Sequence, residues 1–288
     1  MNFEIRKISN YGASHPVVAR LMMQTGELIQ FSNLPKEDKD KVQGFYFELH
    51  NRLLKCHDIY DRLMKATDEA VKRPVPPQTN KQIKEVPHVI GLNGEAESYL
   101  YEAKNYLRDT LSSLKIFFGR DFPDKINEAS SYYDPKGTGK SALALWAEKK
   151  FGADDPLSEM FRGEQKWTGD IVRMRNAVEH PGEKSGTLII KNIVATEKGL
   201  EPPLWNREGE PPSNLLVDME MGLENMLTLG EELLIQCIQK RMAPNNVMEF
   251  VEIPIEARRQ EAPQRFTVQI KAEIREKMFG AHPNKDPK

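Results

Sequence analysis

The sequence predicts a mainly α-helical protein with a small amount of antiparallel β structure. Apolar residues recur at helical spacing through three long stretches, at residues 36–71, 95–118 and 214–241. Runs rich in β-branched residues are short and lie at residues 187–194 and beyond Pro244. We therefore expect a helical bundle that carries a small β-hairpin insertion and a β-containing C-terminal extension.

The composition sets broad limits on function. The chain has 288 residues, which suits one or two domains, and its 39% hydrophobic content is enough for a core. A formal net charge of −2 gives no general attraction for a polyanion, so nucleic-acid binding would need a local basic patch. This argues against a protein that binds duplex nucleic acid with high affinity.

The N-terminus and the cysteines favour a cytoplasmic protein without membrane contact. The opening residues MNFEIRKISN lack the apolar core of a signal peptide, and no apolar run is long enough to span a membrane. Cys56 and Cys237 lie far apart in helix-like segments without C-x-x-C spacing, which is typical of small core residues in a reducing compartment. A disulfide between them is the alternative.

Residues 1–73 are predicted to form an N-terminal helical region, with a short amphipathic helix at 15–31 and a long helix after Pro35. The long helix has an apolar residue every seven positions, at Val42, Leu49, Cys56, Leu63 and Ala70. A face of this length needs a partner, supplied either by the rest of the chain or by a second copy.

Residues 74–93 are rich in proline and turn residues, so we interpret them as a linker or a crossing loop. Residues 94–242 are predicted to form the bundle. Its helices are expected at residues 95–118, 141–151, 168–179 and 214–241. Thr168 is expected to cap the third of these helices.

Two regions predict β structure. The run at residues 187–194 predicts a strand that pairs with a second strand near Leu204. The C-terminal extension, residues 243–288, contains two strand-like segments, VMEFVEI and RFTVQIK.

The segment YDPKGTGKS, residues 133–141, contains part of a phosphate-binding loop but fails its requirements. The full motif, G-x-x-x-x-G-K-[ST], needs a glycine where this chain has Asp134, and a carboxylate there would repel the phosphates. The preceding residues are also too polar for a buried strand. We expect a glycine turn that leads into a helix starting near Ser141.

The strongest chemical signal lies in DIVRMRNAVEHPG, residues 170–182. On a helical wheel, Arg175 falls at the edge of an apolar stripe, while Asn176 and His180 share the polar side. Pro181 biases His180 away from helical geometry. These side chains suit phosphodiester chemistry without a metal, because an imidazole transfers protons near neutral pH and a guanidinium holds phosphate oxygens.

Arg175, Asn176 and His180 match the R-N-x-x-x-H form of the HEPN domain motif, R-x4-6-H, and the chain resembles this family over residues 95–241. The helix containing YLYEAKNYLRDTL and the closing helix at 214–241 are similar as well.

The resemblance implies an antiparallel helical bundle that forms a homodimer with facing motifs. It also implies a metal-independent ribonuclease in a toxin, phage-defence or RNA-processing role, with RNA as substrate and an antitoxin or defence component as partner. Within the site, the resemblance implies that His180 is the acid or base at the ribose 2′-OH, that Arg175 stabilises the phosphate and that Asn176 positions one of them.

The spacing of the motif is not specific by itself, since Arg52 and His57 also satisfy R-x4-H, with Leu53 where a polar residue belongs. In the alternative interpretation Arg175 covers the edge of the core and His180 ends the helix. The protein would then be a non-catalytic helical interaction protein whose bundle and long N-terminal helix bind a partner.

No metal or cofactor site is predicted. His50 and His57 lack chelating spacing, and no Cys/His cluster accompanies them. Acidic residues are interspersed among the basic residues near the motif, which is typical of a solvated surface. These basic residues are Lys149, Lys150, Arg162, Lys166 and Arg173. Trp146, Trp167 and Trp205 are interpreted as core anchors rather than base-stacking residues.

Overall fold

The computed structural model describes residues 10–72, 86–137, 139–196, 199–243 and 247–279. The helices are α1 (Gln24–Leu28), α2 (Lys36–Lys72), α3 (Leu92–Phe118), α4 (Ala142–Phe151), α5 (Pro156–Gly163), α6 (Gln165–Glu179), α7 (Leu215–Lys240) and α8 (Ala272–Phe279). The strands are β1 (Leu188–Lys191), β2 (Val194–Thr196), β3 (Gly199–Glu201), β4 (Leu204–Arg207), β5 (Ser213–Asn214), β6 (Met248–Glu252) and β7 (Phe266–Ile270). The mainly helical class with small antiparallel sheets is confirmed, while the HEPN type of bundle stays a prediction.

The N-terminal helix predicted at residues 15–31 is helical but irregular. A π-helical turn at Val18–Met23 precedes α1, and a 3-10 turn at Ile29–Phe31 follows it. The long helix after Pro35 is confirmed, since α2 runs to Lys72. Residues 73–85, which include most of the predicted linker, lie outside the described residues.

Local capping explains where the central helices begin. Ser141 caps α4, because its Oγ accepts the N–H of Ala144 at 3.1 Å. The prediction that Thr168 caps a helix is wrong. The helix α6 begins three residues earlier, directly after the short helix α5, and Thr168 Oγ1 donates to the Glu164 carbonyl at 2.6 Å inside it. Such back-bonding is common for threonine within a helix.

The predicted pairing of the strand at residues 187–194 with a strand near Leu204 is confirmed, and so are the two strands predicted in the C-terminal extension. β1 pairs antiparallel with β4, with Lys191 opposite Leu204, and β5 pairs with the other edge of β4. β2 and β3 form a separate, exposed hairpin. In the C-terminal extension β6 pairs with β7, with Phe250 opposite Val268.

The chain divides into two compact units, Met1–His50 with Glu231–Lys288, and Asn51–Gly230. Both divisions fall inside helices, α2 and α7, and neither coincides with a division predicted from the sequence. The apolar residues that recur every seven positions along α2 are all buried within the chain. Cys56 and Cys237 are free and buried, and burial raises the pKa of both thiols.

The first unit joins the two ends of the chain through a buried ionic network. Glu231 is fully buried and accepts hydrogen bonds from Arg20 Nη2 at 2.8 Å and Gln24 Nε2 at 2.7 Å. Gln24 Oε1 accepts the backbone N–H groups of Arg265 and Phe266, each at 2.8 Å, where β7 begins. Burial raises the pKa of Glu231, and the neighbouring Arg20 opposes this shift. The network attaches the C-terminal hairpin to the N-terminal helix.

In the second unit α3 packs on α7 with both helices running in the same direction. Tyr99 and Tyr106 donate hydrogen bonds to the carbonyls of Met219 and Met226, at 2.9 and 2.8 Å. The strands before α7 return the chain to the end of α3 that carries Tyr99, where the ring of Trp205 lies 6.5 Å from the Tyr99 ring. Because the chain comes back to this end of α3 before α7 begins, α7 runs parallel to α3.

The parallel α3–α7 pair departs from the antiparallel arrangement expected for the bundle at residues 94–242. The helix α3 does form an antiparallel pair, but with α2 of the predicted N-terminal region. Arg52 lies 2.6 Å from Glu102, and Arg62 lies 2.7 Å from Glu95, so residue numbers rise along one helix as they fall along the other. Within the part of the chain that is described, no helix is long and apolar enough to cross a membrane.

Candidate functional site

The motif lies at the C-terminal end of α6. The helix ends at Glu179, since Pro181 disfavours helical geometry at the preceding residue and His180 adopts φ −135° and ψ 65°. The His180 backbone N–H still donates to the Asn176 carbonyl at 2.8 Å. His180 is exposed. The imidazole is therefore presented to solvent just beyond the last helical turn.

Arg175 is held by an aromatic ring and a carboxylate. The guanidinium carbon lies 5.3 Å from the centre of the Tyr101 ring, and Nη2 lies 3.2 Å from Glu179 Oε1. The side chain is 14% exposed. Its Nε is buried and has no hydrogen-bond partner among the described residues. Within that part of the chain, Arg175 thus retains one donor that is not used.

Lys104 of α3 connects the remaining members of the site. Its ammonium group donates to Asn176 Oδ1 at 2.9 Å and to Glu179 Oε2 at 2.7 Å. The Asn176 amide oxygen therefore faces Lys104, and Glu179 bridges Lys104 and Arg175. This arrangement places two cationic side chains around one carboxylate.

Glu179 senses both ends of the motif. Burial raises the pKa of this carboxyl. The hydrogen bond from Lys104 and the charges of Lys104, Arg175 and His180 lower it by more than burial raises it, so the pKa lies below its ordinary value. Arg175 and His180 therefore act electrostatically on the same group, although no direct contact joins them among the hydrogen bonds and ion pairs described.

Lys104 and Glu179 were not predicted from the sequence. Glu179 carried a usable signal, because it follows Arg175 by four residues on a helix, the spacing at which ion pairs form. Lys104 carried none, because it is 72 residues from Asn176 along the chain and reaches it through the packing of α3 on α6.

A groove of about 680 Å³ opens beside Arg175. The helix α2 contributes Lys55, Asp58 and Arg62, and α3 contributes Glu97 and Tyr101, while Arg175 is its α6 residue. His180 is not among the residues that line the groove. The described site thus has a guanidinium in a groove and an imidazole on the nearby helix end.

Arg173 shows which features are particular to Arg175. It too lies over an aromatic ring, 5.4 Å from the centre of Tyr133, and it pairs with Asp170 at 2.7 Å. Its Nε is also buried without a hydrogen-bond partner among the described residues. Arg173 does not line the groove beside Arg175. Access to that groove, and not the ring or the ion pair, distinguishes Arg175.

The second R-x4-H match has a different setting. Arg52 is bound to Glu102 at 2.6 Å and to Asp109 at 2.9 Å, which fixes α2 on α3. Among the described residues, no group of three or more His, Cys, Asp or Glu side chains is placed to hold a metal ion.

The glycine turn uses its own backbone donors. The Asp134 carboxylate accepts the N–H groups of Lys136 at 2.9 Å and Gly139 at 2.5 Å. These are the donors that a phosphate-binding loop would direct at a nucleotide. The segment closes on itself and then enters α4 at Ser141.

Two tryptophans are core anchors, as predicted. Trp146 and Trp205 are buried, and Trp205 Nε1 donates to Asp218 at 2.7 Å. Trp167 is only partly buried and lines a second cavity of about 490 Å³ together with Trp205, Met174 and Met221.

Comparison with protein-family models, with curated proteins and with solved structures finds no match to this chain.

Proposed function

We propose that this chain is a metal-independent endoribonuclease of the HEPN type, with Arg175, Asn176 and His180 as its site. The observation that carries the proposal is that Arg175 lines an open groove near the C-terminal end of α6, where the exposed His180 directly follows the last helical residue. A base and a phosphate-binding cation would then act from the same helix end.

In the proposed reaction His180 removes the proton of a ribose 2′-OH. The 2′-oxygen then bonds to the adjacent phosphorus, and the bond from phosphorus to the 5′-oxygen breaks, which leaves a 2′,3′-cyclic phosphate. Arg175 offsets the charge that builds on the phosphate oxygens, assisted by the ammonium group of Lys104 nearby. Asn176 orients Lys104 through their hydrogen bond.

The departing 5′-oxygen needs a proton from a second acid. The imidazole that accepts the proton of the 2′-OH lies on the side of the attacking oxygen and not beside the departing one. A protonated His180 of a second copy would therefore supply the proton. A homodimer with facing motifs is therefore part of the proposal. The proposal also includes a cytoplasmic location, a toxin or phage-defence role and a protein partner of the antitoxin or defence type. The family resemblance implies the role and the partner.

The proposal is tested by incubating the full chain with single-stranded RNA in the presence of EDTA. We expect cleavage to cyclic phosphate ends, and a loss of about 100-fold or more in Arg175→Ala and His180→Ala. Arg173→Ala is the matched control for the arginine, since it has the same ring and ion-pair contacts outside the groove. His88→Ala is the control for an exposed histidine.

Two results would oppose the proposal. Full activity in Arg175→Ala and His180→Ala, with melting curves that match the wild type, would assign the cleavage to another site or to a contaminant. An equal loss in Arg173→Ala would show that the arginines act on folding and not on the reaction.

A second candidate function is a non-catalytic interaction protein. It is favoured by the contacts that already occupy Arg175 and Asn176 within the chain, since Glu179 and Lys104 give both side chains a structural role. The apolar face at Leu49 and Leu63 is buried and is not a free docking surface. This candidate predicts no RNA cleavage, together with a lowered melting temperature in Arg175→Ala.

A further inference from the structure

We infer that the groove beside Arg175 binds an unpaired nucleobase and that Tyr101 is the residue on which this base stacks. The inference rests on the proposed function and adds a positioning residue outside the R-N-x-x-x-H motif. It would also place the substrate between α2 and α3, since both helices line the groove.

Tyr101 has the exposure and surroundings of a stacking residue. Tyr101 is 49% exposed as a residue, although Tyr99 and Tyr106 on the same helix are buried. The guanidinium of Arg175 lies over the ring at 5.3 Å from its centre, and the ring borders the groove. A base stacked on the free part of this ring would place its own phosphate next to Arg175. Aromatic rings with such access bind bases of any identity, because every base has a π face.

The charges of the groove suit a base better than a run of phosphates. The cations Lys55, Arg62 and Arg175 line it, and so do the acids Asp58, Glu97 and Glu102, so its formal charge is zero. Lys55 lies 3.9 Å from Glu102, and Arg62 pairs with Glu95 at 2.7 Å. A neutral groove of about 680 Å³ can hold a nucleoside, while Arg175 takes the single phosphate at its end.

The substrate must therefore be single-stranded, because a base in a duplex is not free to enter such a groove. Binding should also depend weakly on salt. Contact with about one phosphate predicts a slope of roughly −0.7 for the logarithm of affinity against the logarithm of salt concentration.

The test separates binding from cleavage. Binding is measured by fluorescence anisotropy in the His180→Ala protein, whose altered residue does not line the groove. The probes are a labelled oligouridylate and an abasic ribose–phosphate chain of the same length, which keeps the charge and removes the bases. Tyr101→Leu and Tyr101→Phe are introduced into this protein. Phe31→Leu serves as the control, because Phe31 is an aromatic residue of similar exposure, 38%, outside the groove.

With Tyr101 in place, removal of the bases should weaken binding roughly tenfold, the effect of one base stack on an aromatic ring. Tyr101→Leu should abolish this difference by weakening only the oligouridylate, while Tyr101→Phe and Phe31→Leu should preserve it. A merely structural role of Tyr101 in holding Arg175 would weaken both probes equally in Tyr101→Leu.

The outcomes for the two proposals are distinct. The inference is overturned if removal of the bases weakens binding equally with and without Tyr101, or if neither probe binds. Either result overturns it even if the wild-type chain cleaves RNA. If removal of the bases weakens binding only when Tyr101 is present, and the wild-type chain does not cleave RNA, the base site is supported and the nuclease proposal is removed.

Discussion

The charges at the end of α6 are paired within the chain. Glu179 holds Arg175 from one side and Lys104 from the other, and Lys104 also binds Asn176. A phosphate that approaches Arg175 must therefore replace Glu179 as its partner. A phosphate can do so because it accepts paired hydrogen bonds from a guanidinium. Glu179 keeps the guanidinium in position within the chain.

The lowered pKa of Glu179 predicts a pH dependence of stability. Its folded-state pKa lies below the unfolded value, so the ionised carboxylate stabilises the fold above the unfolded pKa of about 4.3, and this contribution is lost as the pH falls through the folded pKa. Glu179→Gln should lower the free energy of unfolding by about 0.5–1 kcal/mol at neutral pH. The difference from the wild type should disappear on acidification.

Urea denaturation at neutral pH and at about pH 3 measures this difference. Glu128→Gln, at an exposed position, is the control and should change stability little at either pH. A deficit in Glu179→Gln that stays constant with pH would mean that the carboxylate charge is not what stabilises the helix end.

At the scale of elements, the contact between α3 and α7 depends on a glycine. A Cβ atom added at Gly222 would overlap the hydroxyl oxygen of Tyr99, which is buried and bonded to the Met219 carbonyl. The two helices can approach this closely only because position 222 has no side chain. The tyrosine and the glycine together set the spacing at this end of the α3–α7 pair.

Gly222→Ala should therefore destabilise the protein by about 1–3 kcal/mol, because the helix propensity gained is smaller than the cost of displacing a buried tyrosine. Gly44→Ala is the matched control, since Gly44 lies inside α2 and a Cβ atom added there would meet no neighbouring atom within 4 Å. The control should be neutral or stabilising. Thermal unfolding of both variants checks the prediction, and equal melting temperatures would contradict it.

At the scale of the whole molecule, one compact unit is built from both ends of the chain, and a buried carboxylate connects them. Glu231 binds Arg20 and Gln24 from the N-terminal segment, and Gln24 in turn binds the backbone of β7. Arg265 adds its guanidinium to the same carboxylate at 3.5 Å. Removing the carboxylate charge would break the ion pair that Glu231 forms with the buried Arg20.

Glu231→Gln should lower the free energy of unfolding by about 3 kcal/mol or more, the usual cost of breaking a buried ion pair from one side. Glu224→Gln, at an exposed position of the same helix, should have little effect. Chemical denaturation of the full chain measures both. A small effect of Glu231→Gln would show that the hydrogen bonds of the glutamine replace the ion pair in this network.

The sequence by itself determined the helical class, the extents of α2, α3, α4 and α7, the pairing of β1 with β4, the strands β6 and β7 and the position of the motif at a helix end. These features follow from spacing and capping over a few residues, as Ser141 and Pro181 illustrate. Thr168 shows the limit of such local signals, because a threonine can also lie inside a helix: α6 begins at Gln165, and Thr168 Oγ1 donates to the Glu164 carbonyl.

Only the tertiary structure decided which groups meet around the motif. Lys104 reaches Asn176 across 72 residues, Tyr101 lies under Arg175, and α3 and α7 run in the same direction. The buried face of α2 likewise found its cover within the chain. Residue spacing cannot determine these contacts, because they depend on how helices separated in sequence pack against each other, and that packing is set by the combined shapes of their buried side chains.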